Sequence, residues 1–306
     1  MTTMEPAVVA LRPPSVRPHS ELRSQAADYW ALTKPEVNFL ILITTFAGFW
    51  LGLPSATGSL PAFRLASTLV GTLLVAGGTG TLNQYVERHF DAQMRRTARR
   101  PLAAGKMQPS AALRFGILLS SAGVIYLALT VNVLAALLAA FTLVSYLFLY
   151  TPLKRKTPLC TLAGAIPGAM PPLIGWAAAS GKLSLEAWVL YGIVFLWQFP
   201  HFMAIAWMYR EDYARARYLV LPFGERRPSF MAWQTLAPCL ALVPAESRSS
   251  ASGRRKPRVY RGSFRAWLVL LLLRSAVGRP EVKCRGAPAP LCIDPLPSNA
   301  VSNDRA

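Results

Sequence analysis

The stretch NQYVERHFDAQMRRTARRPLAAG, residues 83–105, decides how the rest of the chain is interpreted. It follows an apolar run at residues 65–82 that is long enough for a membrane helix. Asn83, Glu87 and Asp91 are spaced four residues apart. If the helix continues through them, their side chains share one face. The pattern therefore predicts an amide and two carboxylates stacked at a membrane surface.

This column of side chains has two interpretations. Carboxylate oxygens, water and phosphate are the ligands that Mg²⁺ prefers, which makes Glu87 and Asp91 candidate metal ligands. The arginines that follow, Arg95 among them, suit the oxygens of a diphosphate. The alternative is an ordinary cytoplasmic loop, basic by the positive-inside rule, whose acids only balance charge. The regular spacing at a helix exit favours a metal–diphosphate site.

The composition indicates a polytopic membrane protein. Of 306 residues, 53% are hydrophobic, and Lys+Arg 33 against Asp+Glu 14 gives a formal net charge of +19. The basic residues fall between apolar runs, so nucleic acid is not expected as a partner. The four cysteines show no spacing typical of a disulfide framework or a zinc site. Apolar runs predict seven spans, at residues 37–53, 65–82, 115–131, 133–149, 162–179, 188–208 and 230–243.

Loop charge predicts the orientation of these spans. The segments after the second, fourth and sixth spans are strongly basic, whereas those after the first, third and fifth are almost uncharged. The positive-inside rule therefore places the N-terminus and all motif loops in the cytoplasm. A transporter would more often carry its polar residues near the bilayer midplane.

Two further stretches carry chemistry. YTPLKRKTPLCTLAGAIPGAMPPLIGWAA, residues 150–178, places Lys154 and Arg155 at a helix exit, where both can meet a diphosphate. LWQFPHFMAIAWMYREDYARARYLVLP, residues 196–222, supplies a second acidic pair, Glu211 and Asp212. Within it, His201 follows a proline among aromatic residues. It is either a packing residue of a membrane helix or a residue that faces a flat aromatic ligand.

All three stretches resemble the motifs of the UbiA family of intramembrane prenyltransferases. Within that family they are most similar to the branch that farnesylates heme, with the patterns N-x-x-x-D-x-x-x-D-x-x-M-x-R-T-x-x-R-P-L, Y-T-x-x-L-K-R-x-T…G-A-x-P-P-L-I-G-W and W-Q-x-P-H-F…D-D-Y-x-x-A-G…L-P. The resemblance covers about residues 29–243. This chain departs from it at Glu87 and Glu211, where the family has aspartate, and at Arg217, where the family has glycine.

The resemblance implies an all-α polytopic membrane bundle of UbiA type, with seven of nine expected helices recognisable. It implies Mg²⁺-dependent transfer of the farnesyl group of farnesyl diphosphate to a vinyl group of heme b, giving heme O for heme A synthesis. Other UbiA-type enzymes prenylate quinone-precursor rings, and a non-enzymatic membrane transporter or scaffold is a third possibility. The implied location is the cell inner membrane, with the lipid bilayer, heme A synthase and terminal-oxidase assembly factors as partners.

The resemblance also implies roles for individual residues. Metal and diphosphate binding falls to five residues: Asn83, Glu87, Asp91, Glu211 and Asp212. Phosphate oxygens meet Arg95, Lys154 and Arg155, while His201 contacts the porphyrin.

The two ends of the chain differ from its middle. Residues 1–29 are interpreted as a disordered cytoplasmic tail and 30–243 as the prenyltransferase domain. Residues 244–306 are polar, basic and Pro-rich where two more helices are expected. We interpret this segment as an aberrant tail, which is either frameshifted near Pro244 or disordered. The interpretation predicts little activity for the chain as written.

Overall fold

The computed structural model describes residues 18–54 and 60–220, and all regular elements in those ranges are helical. A short π-helical segment, Ser145–Tyr150, joins α5 to α6. The α-helices in chain order are α1 Pro18–Leu32, α2 Pro35–Gly52, α3 Ala62–Asp91, α4 Pro109–Thr130, α5 Val133–Val144, α6 Thr151–Leu153, α7 Cys160–Gly168, α8 Met170–Ser180, α9 Leu185–Met208 and α10 Arg210–Arg215.

Among the described residues, six helical stretches are long and apolar enough to cross a membrane. They match the first six predicted spans: Pro35–Gly52, Ala62–Asp91, Pro109–Thr130, Val133–Leu153, Cys160–Ser180 and Leu185–Met208. Large apolar side chains such as Phe39, Leu118 and Leu129 lie exposed on the outer faces, as expected of helices in contact with lipid. The predicted all-α membrane bundle is confirmed. The seventh predicted span, at 230–243, and the tail at 244–306 lie outside the described residues.

The N-terminal segment is more ordered than predicted. Residues 18–29, expected to be part of a disordered tail, belong to α1. The segment is rich in good helix formers and has Pro18 at its start, where a proline is tolerated. Its last turn is anchored by Leu32, which is fully buried and packs in a cluster with Leu102 and Ala112. This apolar anchor is a tertiary contact that composition does not reveal. Residues 1–17 lie outside the described residues.

Helix α8 forms the centre of the bundle. Its residues Leu173, Ile174 and Ala177 are buried in the largest apolar cluster, together with Phe49 of α2. The backbones of the two helices are in contact at Gly175, where an added Cβ would overlap the Thr45 carbonyl oxygen. Small residues at such crossings let membrane helices approach closely.

This close crossing predicts a large stability effect. We expect Gly175→Val to push α2 and α8 apart and destabilise the protein by about 1–3 kcal/mol. The measurement is the midpoint of thermal unfolding in detergent. Gly192→Ala in α9 is the matched control, because a Cβ there meets nothing within 4 Å. An unchanged midpoint for Gly175→Val is incompatible with this packing.

Helix α3 positions the acidic motif. It has 30 residues, so its length is about 45 Å, well beyond the roughly 30 Å of a bilayer hydrocarbon core. The last turns of α3, from Asn83 to Asp91, therefore extend past the apolar run toward one end of the bundle. The loops that carry the other motifs meet it there.

Candidate active site

The predicted column on α3 is present. Asn83, Glu87 and Asp91 are all buried, and the Asn83 Nδ2 donates a 2.9 Å hydrogen bond to Glu87 Oε2. The helical period thus brings the three side chains onto one inward face, as their four-residue spacing predicts.

A second element supplies a cation to this column. Lys154 Nζ donates to Glu87 Oε1 at 2.8 Å, and Thr151 Oγ1 donates to Asn83 Oδ1 at 3.1 Å. Both residues follow the π-helical segment, an irregularity that is often found at functional sites. The ammonium also lies 4.4 Å from the centre of the Tyr150 ring. Burial, the largest single influence, lowers the pKa of Lys154. The charge of Glu87, its hydrogen bond and the nearby Tyr150 and Tyr146 hydroxyls together outweigh burial and raise the pKa well above the ordinary value. Lys154 is therefore a permanent cation.

Asp91 holds a second ion pair and retains a free oxygen. Arg100 Nη1 donates to Asp91 Oδ2 at 2.7 Å, and Thr97 Oγ1 donates to the Asp91 carbonyl at 2.9 Å. The other carboxylate oxygen, Oδ1, is buried without a hydrogen-bond partner in the described part of the chain. An unsatisfied buried carboxylate oxygen is costly unless a ligand completes it.

The second acidic pair divides between two environments. Asp212 is buried and accepts from the backbone N–H groups of Arg95 and Arg96, both at 3.1 Å, and from Arg215. It therefore links the loop after α3 to α10. The side chain of Glu211 is 73% exposed and lies 3.7 Å from Arg215. The structure brings Asp212 to the first motif and leaves Glu211 at the surface. Their predicted metal roles stay predictions.

Two of the predicted phosphate cations lie outside the buried column. The side chains of Arg95 and Arg155 are exposed, and Arg155 stacks over the Phe90 ring at 4.3 Å. Of the predicted phosphate cations, Lys154 is the one that is buried against the acids.

Two further cations approach the same acids, and the sequence analysis singled out neither of them. One is Arg100, the partner of Asp91. The other is Lys34, which stands in the turn between α1 and α2 with a left-handed φ of 53°. Gln84 of α3 fixes this turn by donating to the Leu32 carbonyl at 2.9 Å. Burial and then the positive charge of Arg100 lower the pKa of Lys34 to about 7. The Leu-Thr-Lys-Pro sequence before α2 is the feature of the sequence that could have pointed to Lys34.

His201 lies on α9, away from the ends of the helix. Its ring stacks on Trp197, with centroids 4.8 Å apart and planes 18° apart, and it is half-buried. It is seven residues before the end of α9, about 10 Å along the axis. This placement is compatible with both interpretations of His201, and its contact with a porphyrin stays a prediction.

The donor set fits a hard divalent cation completed by a ligand. Within residues 18–54 and 60–220, no three His, Cys, Asp or Glu side chains form a metal cluster. Glu87 and Asp91 nevertheless offer carboxylate oxygens one helical turn apart, and Asp91 Oδ1 lacks a partner. Mg²⁺ is typically held by one or two carboxylates, with water and phosphate oxygens supplying the rest. The surrounding cations suit the phosphates.

The fold and the site together define an intramembrane enzyme with an acidic motif and several cations at one end of a helical bundle. The model of the UbiA prenyltransferase family matches residues 41–251, and the chain belongs to that family. A solved UbiA homologue from Archaeoglobus fulgidus, bound to GPP and Mg²⁺, has the same fold, with a TM-score of 0.64 at 14% identity over 81% of this chain and 87% of that one.

Comparison with individual members of the family shows which of them this chain resembles. The chain is 46% identical to the protoheme IX farnesyltransferase of Solibacter usitatus over 267 residues, which cover 85% of this chain and 91% of that protein. It is 49% identical to the protoheme IX farnesyltransferase of Salinibacter ruber over 217 residues, 71% of this chain and 76% of the relative. The resemblance predicted from the three motifs is confirmed, and the protein is a prenyltransferase.

Proposed function

We propose that this enzyme transfers the farnesyl group of farnesyl diphosphate to a vinyl group of heme b, giving heme O. The observation that carries the proposal is the buried column of Asn83, Glu87 and Asp91 with Lys154 and Arg100 on its acids, in a chain so similar to protoheme IX farnesyltransferases. Such a column is suited to bind the diphosphate of the donor together with a metal ion. The apolar part of the bundle then determines which acceptor can bind.

In the proposed mechanism, Glu87 and Asp91 would hold Mg²⁺, and the metal would neutralise charge on the leaving diphosphate. Asn83 fixes the orientation of Glu87 through its hydrogen bond. Lys154 and Arg100 balance the charge that develops on the diphosphate as the allylic C–O bond breaks. The apolar bundle keeps water away from the allylic cation until the terminal vinyl carbon of heme b captures it. This addition leaves a positive charge on the carbon next to the porphyrin ring. One water adds there and loses a proton, so that heme O carries a hydroxyl group. Asp212 holds the loop after α3 in place through the backbone of Arg95 and Arg96.

The test is a transfer assay with membranes that contain the protein, supplied with heme b, farnesyl diphosphate and Mg²⁺. Both the chain as written and a version with the reading frame restored after Pro244 are assayed. Heme O that forms only with the metal supports the proposal. A prenylated aromatic acid, formed when a quinone precursor is the acceptor, assigns the enzyme to another UbiA branch. No transfer by either version contradicts both.

We also propose that the motif loops face the cytoplasm, with the chain in the cell inner membrane. Support comes from the basic loops after the second, fourth and sixth spans. Cysteines introduced into the loop at residues 92–108 are expected to react only with reagents that cross the membrane. Labelling by an impermeant reagent in intact cells contradicts this orientation.

The lowered pKa of Lys34 leads us to expect that the protein takes up a proton when it binds a diphosphate. Its pKa of about 7 is below that of a free lysine, so at pH 8 the empty site holds it mainly neutral. A bound diphosphate favours the charged form, so binding takes up close to one proton at pH 8 and less as the pH falls below 7. Calorimetry of inorganic pyrophosphate with Mg²⁺, in buffers of different ionisation enthalpy, measures this number. Lys34→Met is expected to abolish the uptake. The exposed Lys106→Met is the control, and equal uptake by both variants contradicts the assignment.

A further inference from the structure

Tyr218 is a buried residue that the proposed mechanism does not use. It follows α10, is only 3% exposed, and packs in an apolar cluster with Met94 and Ala216. Its ring lies 5.9 Å from the ring of Phe90, which is on α3 between Glu87 and Asp91. A tyrosine buried this deeply normally finds a partner for its hydroxyl.

The backbone around Tyr218 is fixed and directs the side chain inward. Arg217 takes a left-handed φ of 54°, the conformation that favours glycine and that ends the short helix. This explains why a glycine would suit position 217. The Tyr218 N–H then donates to the Tyr213 carbonyl at 2.9 Å, and the Leu219 N–H donates to the Lys154 carbonyl at 2.7 Å. The chain therefore crosses beside Lys154 at the point where Tyr218 enters the core.

The Tyr218 hydroxyl is buried near the Glu87 carboxylate but, within the described part of the chain, makes no well-aligned hydrogen bond. The charges that act on it come from Glu87, Lys154 and Asp91, so it is close to the acid–cation column. A phenolic hydroxyl keeps its proton at neutral pH, so this group can donate a hydrogen bond.

We propose that Tyr218 is a further substrate-binding residue, whose hydroxyl donates a hydrogen bond to the diphosphate held at the column of Glu87 and Asp91. A phosphate oxygen is the acceptor that best fits a neutral donor beside Lys154, because one oxygen can accept from both groups. The inference rests on the proposed function, since it requires a diphosphate at this site. Tyr218 would thus contact the diphosphate from the segment after α10, in addition to the predicted acidic pair at residues 211 and 212.

The test is a binding measurement on the full chain in detergent. The probe is farnesyl thiodiphosphate, a donor analogue that resists ionisation, titrated with Mg²⁺ present. Tyr218→Phe keeps the ring and removes the hydroxyl, so we expect its affinity for the probe to fall about tenfold or more. The unfolding midpoint of the ligand-free protein should fall little, because the hydroxyl that is removed has no well-aligned hydrogen-bond partner within the described residues.

Tyr126→Phe is the matched control. Its hydroxyl, on α4, already donates to Ser67 at 3.3 Å, so its removal should leave probe affinity unchanged. Equal affinity of Tyr218→Phe and the parent chain overturns the inference while leaving the proposed function intact. A lower ligand-free midpoint with unchanged affinity assigns Tyr218 a purely structural role and also overturns it. If neither the chain as written nor the frame-restored version binds the probe, the proposed function fails with the inference.

Discussion

Replacing Asp91 by alanine is expected to lower the rate of farnesyl transfer by about a hundredfold to a thousandfold. The substitution removes a proposed metal ligand, Oδ1, and leaves Arg100 without its 2.7 Å carboxylate partner. Both changes weaken the neutralisation of the leaving diphosphate in the transition state. The measurement is the initial rate of heme O formation across a series of Mg²⁺ concentrations. It uses whichever of the chain as written and the frame-restored version is active.

Glu36→Ala is the control for this experiment. Glu36 lies exposed in the first turn of α2, close in sequence to Lys34. Its loss should change the rate less than twofold, since exposed side chains away from a site contribute little. If the two variants lose activity equally, the acidic column is not where diphosphate is activated. Excess Mg²⁺ should recover part of the Asp91→Ala rate only if Glu87 still holds the metal.

Local periodicity explains what the sequence could predict. The spacing of Asn83, Glu87 and Asp91 fixes a shared face once the segment is a helix, and the structure has that helix. Apolar runs likewise determine spans, because a membrane helix must satisfy its own backbone. These predictions need no knowledge of how distant segments meet.

The parts that failed or were missed depend on tertiary contacts. Lys34 approaches the acids because Gln84 pins the turn between α1 and α2, a contact across about fifty residues of chain. Tyr218 enters the core through a left-handed residue that no periodicity signals. The order of residues 18–29 likewise depends on the burial of Leu32.

The pair Glu211 and Asp212 illustrates a geometric limit that sequence reasoning overlooked. Adjacent residues on a helix point about 100° apart, so both cannot face the same column without distortion. In the structure Asp212 turns inward to the backbone of Arg95 and Arg96, and Glu211 faces outward. The two carboxylates therefore lie in different environments, and their joint metal role stays a prediction.

Loss of Lys154 should have the largest effect on stability. Lys154→Met leaves the Glu87 carboxylate buried, with its hydrogen bond from Asn83 but without the Lys154 ammonium, its ion-pair partner among the described residues. Breaking a buried pair in this way costs about 3–5 kcal/mol. For a chain of this size that corresponds to a fall of about 10 °C in the unfolding midpoint. The adjacent Arg155→Met is the matched control, because the Arg155 side chain is exposed over Phe90 and should change the midpoint little.

The double variant Glu87→Gln/Lys154→Met separates stability from function. With both charges gone, no uncompensated charge remains in the core, so the midpoint should return to within a few degrees of the parent protein. Activity should not return, because the diphosphate loses a cation and the metal loses a ligand. Recovered stability with absent activity shows that the pair is kept for chemistry and not for the fold. A double variant that transfers farnesyl at the parent rate contradicts the roles assigned to both residues, whatever its unfolding midpoint.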